Sequence, residues 1–220
     1  MDKKRLVVFG DSWARGSELA PNEKTFGELL SERLGCESFA NYSHPASSIS
    51  HLMVQLKNFL KMLQDTGRDP SEYLAVFFLT AQDRSMSYLD NDWIFQTPHG
   101  GFSTNGYQRE LVASINDMYW KYFHSQELTE TTVNTNLVAL QTVCQKYNIA
   151  DFYIPGWEQF DLWPEIDSTR IHTVSCGEAI NFDLGPFENN PYIHPNISHP
   201  NQLGHQKIAD LLYDWIITHA

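Results

Sequence analysis

The sequence predicts an α/β fold in which a mostly parallel sheet is covered by helices on both faces. Three observations carry that expectation. Short apolar runs alternate with amphipathic stretches along the chain, the pattern of successive β-α units. The clearest run, Tyr73 to Leu79 (YLAVFFL), is apolar at every position, as a strand covered on both faces must be. No internal repeat is visible, and 220 residues with 42% apolar and 13% aromatic content suit one domain spanning 1–220.

The elements follow in order. Arg5 to Phe9 reads as a buried strand, and FGDSWARG (residues 9–16) begins where it stops. Gly, Asp and Ser favour a turn there, and a serine so placed stands at the carboxyl edge of a sheet. Residues 26–34 carry Phe26, Leu29, Leu30 and Leu34 at helical spacing, and Glu37 to Ala40 reads as a brief second strand. Ser48 to Leu63 predicts a strongly amphipathic helix with Ile49, Leu52, Leu56, Phe59, Leu60 and Leu63 on one stripe. Residues 85–106, with Pro98, Gly100, Gly101 and Gly106, read as an irregular insertion over one end of the sheet. Glu110 to Phe123 and Thr131 to Tyr147 predict helices, and Asp151 to Ile154 a strand stopped by Pro155-Gly156. A second insertion, 157–198, is rich in proline, asparagine and aromatics. Gly204 to His219 closes the chain as a helix with Ile208, Leu211, Leu212, Trp215 and Ile216 inward and His205 facing solvent.

Composition excludes several classes. A net charge of −12 argues against a nucleic-acid surface, which needs clustered Lys and Arg. The apolar run before Asp11 is too short for a secretory signal or a membrane span. Cys36, Cys144 and Cys176 are odd in number and widely spaced, which predicts reduced thiols, small buried side chains and a cytoplasmic location. His44, His51, His194 and His205 lack metal-ligand spacing and are expected to be solvated or capping, with no metal bound. Nothing in the sequence sets the oligomeric state.

Two short stretches carry chemistry. Ser12 follows the first strand, and His199 opens HPNQLGHQKIADLL before the last helix. A serine hydroxyl is inert until an imidazole takes its proton, and histidine suits that task because its pKa lies near neutrality. His194-Pro195-Asn196 echoes His199-Pro200-Asn201, but only the second copy continues into Gly204 and a helix, which favours His199. Asp11 is expected to cap the turn that follows it. Tyr88, Trp93, Phe95 and Phe102, with Trp157, Phe160 and Trp163, either line a cleft or seal the loops to the core.

Gly10-Asp11-Ser12 behind the first strand, together with H-P-N-x-x-G-H before the last helix, resembles the SGNH (GDSL-type) hydrolases over most of the chain. The resemblance implies a flavodoxin-like three-layer α/β/α sandwich that hydrolyses small-molecule esters with no cofactor. It implies Ser12 as nucleophile and His199 as base. It also implies an oxyanion hole built from the N–H groups of Ser12 and Ala46 and the Gln82 amide. Ala46 stands where the family has glycine, so its N–H serves if the backbone there does not require positive φ. Thr80-Ala81-Gln82-Asp83 stands where the family usually reads G-x-N-D. One lost oxyanion donor removes about 3–4 kcal/mol of transition-state stabilisation.

Asn196 occupies the family's aspartate position, three residues before the histidine. In a serine protease the exchange of that carboxylate for an amide lowers the rate by about four decades. Three readings stay open: a Ser–His dyad helped by Asn196 or a main-chain carbonyl, a distant carboxylate such as Asp183, or a weakened site on a binding or structural protein. GDSW-x-x-G-x-E-L at residues 10–19 is similar to divergent SGNH-like proteins of phages and marine bacteria. A flavodoxin-like phosphate binder is disfavoured by the glycine-poor first loop and the acidic charge.

Overall fold

The computed structural model describes residues 5–89, 92–97, 100–103, 109–182, 189–195 and 198–219. In chain order these residues form β1 (Arg5–Phe9), α1 (Ser12–Arg15), α2 (Phe26–Leu34), β2 (Ser38–Asn41), α3 (Ile49–Thr66), β3 (Tyr73–Leu79), β4 (Ser85–Leu89), β5 (Asp92–Thr97), β6 (Gly100–Ser103), α4 (Arg109–Tyr122), α5 (Gln126–Lys146), β7 (Ala150–Pro155), α6 (Cys176–Ala179) and α7 (Gln202–His219). The main sheet has the order β2-β1-β3-β7 with every pair parallel.

Alternation along the strands divides the core into the two expected faces. Val7, Phe9, Ala75, Phe77, Leu79 and Tyr153 point one way, onto Leu52, Leu56 and Phe59 of α3 and Val133, Leu137 and Leu140 of α5. Leu6, Val8, Leu74, Val76, Phe78 and Ile154 point the other way, onto Phe26 and Leu30 of α2 and Ile208, Leu212 and Ile216 of α7. Since both faces are covered, β3 is buried at every position. Burying one such side chain contributes roughly 1.5–3 kcal/mol.

The helices start where local chemistry lets them. Thr25 and Glu28 form a reciprocal capping box on α2, and Ser48 caps α3 by accepting from the His51 N–H. Ser125 caps α5, which therefore begins ahead of the apolar periodicity that suggested Thr131.

The insertion at 85–106 departs from expectation. Among its described residues it holds an antiparallel sheet, β4-β5-β6, with Met86 opposite Phe95 and Tyr88 opposite Trp93. Its glycines made it read as loop, since glycine is weak inside a strand. Apolar residues nevertheless alternate along β4, and Ile94 and Phe95 of β5 are buried. Rings of this sheet rest on the start of α3: Phe95 and Trp93 lie 5.0 and 5.6 Å from His51. The second insertion contains α6 and a 3-10 turn at Ser168–Arg170, while 183–188 and 196–197 lie outside the described residues.

From β1 the chain moves out to β2, then crosses back to β3, so the winding direction reverses between β1 and β3. In open α/β sheets the crevice beyond the carboxyl ends of the strands at such a reversal is where ligands bind. No described helix is long and apolar enough to cross a membrane.

Candidate active site

The turn after β1 is built for close approach. A Cβ on Gly10 would lie 2.6 Å from the Ala14 Cβ and 2.8 Å from the Phe78 Cβ, so only glycine lets the chain turn this tightly against β3. The Gln55 amide of α3 holds the Gly10 peptide groups and also donates to the Ser47 hydroxyl at 2.9 Å. The Ser47 hydroxyl gives its own proton to the His44 carbonyl, 2.6 Å away. It therefore accepts from the His51 Nδ1–H at 2.9 Å, which assigns the His51 tautomer. Burial, with His44 beside it, pushes the His51 pKa down to about 4.

Asp11 caps α1, as its position suggested. Its carboxylate accepts from the Trp13 N–H at 2.9 Å, the Thr80 hydroxyl at 2.8 Å and the Arg84 guanidinium at 2.8 Å. The Asp11 side chain is 0% exposed and that of Arg84 18%, so the pair is a largely buried ionic brace between the ends of β1 and β3. Ser12, freed from capping, is the first residue of α1, where a backbone N–H has no acceptor within the helix.

The opposite half of the site comes from the loop before α7. There the His194 N–H bonds to the His199 carbonyl at 2.9 Å, and Ile193 pairs with Pro200 in an isolated bridge. Asn201 caps α7: its Oδ1 accepts from the Leu203 and Gly204 N–H groups at 2.9 and 3.1 Å, while its Nδ2 donates to the Pro191 carbonyl. A Cβ on Gly204 would fall 2.3 Å from the Tyr192 carbonyl oxygen, so glycine lets α7 lie directly on that loop. His205 does not face solvent as expected. It is 1% exposed, and its Nδ1 accepts the Phe26 N–H at 3.1 Å, satisfying a donor at the start of α2. Burial, reinforced by His194 and His199, pushes its pKa down to about 3. The spacing H-P-N-x-x-G-H thus fixes a loop between two helix starts.

These two constructions bring Ser12 Oγ and His199 Nε2 to 2.9 Å. The rival, His194, has its Nε2 buried with no hydrogen-bond partner among the described residues. Ser12 and His199 open on a cavity of about 740 Å³, whose wall includes Ala46, Asp83, Arg84, Trp157 and Phe182. Trp13, beside the serine, is buried against Trp157 at 4.1 Å and Phe182 at 5.3 Å, so Trp157 both lines the cleft and seals it. Phe160 packs on the core, whereas Trp163 and Tyr88 are exposed.

The remaining expected residues are distributed as follows. Against the condition that its backbone avoid positive φ, Ala46 has φ +61°, the left-handed conformation that glycine takes freely; the alanine adopts it at a cost of about 1 kcal/mol, lines the cavity and retains its N–H. Gln82 lies in the turn after β3, of which Ala81, Asp83 and Arg84 line the cavity. The Arg84 N–H closes the turn on the Ala81 carbonyl at 3.3 Å, and its guanidinium reaches Asp11. Asn196 and Asp183 lie outside the described residues. Among the described residues no group of His, Cys, Asp and Glu side chains could hold a metal ion. All three cysteines are free thiols, Cys144 and Cys176 buried and Cys36 half-buried; burial raises the pKa of each.

The sequence reading missed Gln55 and gave Arg84 no role. The signal for Gln55 was a polar side chain next to the apolar stripe of α3, three residues after Leu52 and one before Leu56.

No protein-family model matches the chain, and no curated protein matches it. Its fold is similar to that of the psychrotrophic esterase EstA from a Pseudoalteromonas species, in a form inhibited by monoethylphosphonate (TM-score 0.51, 14% identity, 98% of this chain and 97% of that one). It is similar to TesA (TM-score 0.53, 11% identity, 98% and 99% covered). It is also similar to a member of the lipolytic protein G-D-S-L family from Veillonella parvula (TM-score 0.51, 14% identity, 98% and 99% covered).

Proposed function

On the SGNH-hydrolase fold, which the chain shares with these structures over nearly its whole length, we propose that it hydrolyses ester bonds through Ser12 and His199. The observation that carries this reading is the 2.9 Å contact between Ser12 Oγ and His199 Nε2 at the mouth of a cavity.

In this mechanism His199 Nε2 takes the hydroxyl proton as Ser12 Oγ attacks the ester carbonyl carbon. The carbonyl oxygen becomes an oxyanion held by the N–H groups of Ser12 and Ala46. Collapse breaks the bond to the leaving alcohol, which takes the proton back from His199 and departs. Water then repeats the sequence on the acyl-serine: His199 removes its proton, the acid leaves and Ser12 regains its hydrogen. Asn196 is assigned the task of orienting the imidazole, as an acceptor for the ring N–H. The Gln82 amide, in the turn whose Ala81, Asp83 and Arg84 line the cavity, is assigned as a third donor. Esters of small acyl groups, acetylated sugars included, are the substrate class the family suggests, and EstA and the Veillonella protein carry esterase and lipolytic names.

A fluorophosphonate probe tests the reading. The wild type gains one probe mass, Ser12→Ala gains none, and His199→Ala labels about 10³-fold more slowly. A folded wild-type protein that stays unlabelled across the pH range would overturn the hydrolase and favour a binding protein.

A further inference from the structure

A second cavity, about 730 Å³ in volume, lies between α3 and α5 near the end of the sheet where β3 begins. Its floor is aliphatic, formed by Met53, Leu56, Leu60, Leu63 and Val143. Leu56 and Leu63 are each 1% exposed, so the floor belongs to the core. Lys57, Lys61, Arg68 and Lys146 stand around it, and none of its lining residues is acidic.

A rim of one sign is out of keeping with a chain that carries 27 acidic residues against 15 basic ones. Lys61 is paired with Asp65 at 3.0 Å, whereas Lys57, Arg68 and Lys146 enter no ion pair among the described residues. Helix ends account for part of this. Lys146 closes α5 and Arg68 follows α3, where a cation offsets the helix dipole. Lys57 sits in mid-helix and gains nothing that way. Nor does a helix end explain the aliphatic floor beneath the cations.

A small inorganic anion would pair with the rim and leave the floor wet. A neutral lipid would cover the floor and leave the cations unpaired, at the cost of their solvation. An amphiphile with an anionic head uses both, and the volume falls within the few hundred to a thousand Å³ typical of small-molecule sites. We propose that this groove binds a free long-chain carboxylate, its alkyl chain along Met53, Leu60 and Val143 and its head among Lys57, Arg68 and Lys146. The inference is independent of the hydrolytic reading, because no lining residue is shared with the Ser12 cavity.

The test is calorimetric titration with dodecanoate below its micelle concentration, with dodecanol and butyrate as controls. Dodecanoate should bind at a single site, at least tenfold tighter than either control. The double variant K57E/K146E, both positions exposed, should stay folded with a melting temperature lower by only a few degrees, since Lys146 offsets the α5 dipole, and weaken dodecanoate by at least tenfold. A diazirine analogue of dodecanoate should label Met53, Leu60 or Val143. The proposal is overturned if dodecanol binds as well, if the double variant binds unchanged, if the label falls on Trp157 or Phe182, or if the protein joins anionic vesicles without taking up the free acid.

Discussion

The Gln55 side-chain amide grips both polar groups of Gly10: its Nε2 donates to the Gly10 carbonyl and its Oε1 accepts the Gly10 N–H, each at 2.9 Å. A helix on one face of the sheet thus holds the peptide that leads into Ser12. Gln55→Leu should strand two buried backbone groups and lower stability by about 2–4 kcal/mol, measured by urea denaturation. Gln55 positions the turn without touching substrate, so kcat for ester hydrolysis should fall while KM stays nearly constant. A variant changed only in KM would contradict that role.

The Asp11–Arg84 pair predicts an asymmetry. Arg84→Ala leaves a fully buried carboxylate without its cation, and should cost about 3 kcal/mol at pH 7. Asp11→Asn should cost less, because the amide oxygen still caps Trp13 and Arg84 can turn toward solvent. Urea denaturation of the two variants at pH 7 checks the order.

His51 and His205 set an acid limit. Their folded pKa values, about 4 and about 3, lie below the ordinary value of 6.5. Between those limits the unfolded chain binds protons that the folded chain refuses. Their contribution is therefore complete above pH 6.5 and is lost as pH falls, by about 1.4 kcal/mol per pH unit for each residue. His205→Asn, which keeps an acceptor for the Phe26 N–H, should roughly halve that slope between pH 6.5 and 4.5. An unchanged slope would mean that His205 is not buried neutral.

The left-handed backbone at Ala46 gives a further measurement. Ala46→Gly removes about 1 kcal/mol of strain and restores a similar amount of unfolded-state freedom, so stability should change little and activity persist. Ala46→Val places a β-branched side chain at positive φ and should lower both by a clear margin. Thermal denaturation and ester turnover separate the two outcomes.

Periodicity made β1, β3, α3 and α7 legible, because apolar spacing reports burial directly. Ser12 and His199 were legible as a pair because each is followed by residues whose packing now has a visible reason: Trp13 beside the serine, Gly204 and His205 after the histidine. Other features depended on relations that sequence does not carry. The β4-β5-β6 sheet was hidden by glycines that weaken a strand without forbidding it. His205 looked solvated because histidine at a helix start usually is, and only the approach of α2 supplies its partner. The role of Arg84 was hidden because its partner, Asp11, lies 73 positions away.

Ser12 and His199 are 187 positions apart. Their hydrogen bond therefore exists only in a chain whose four-stranded sheet has closed and whose α2 and α7 have docked, as their contact through Phe26 and His205 requires. A half-assembled chain holds an ordinary serine and an ordinary histidine, so the proposed acyl transfer cannot begin until assembly is complete. Reactivity at Ser12 then doubles as a clock for folding: in a refolding experiment, phosphonate capture should trail the recovery of helical signal and coincide with the final locking of the native state.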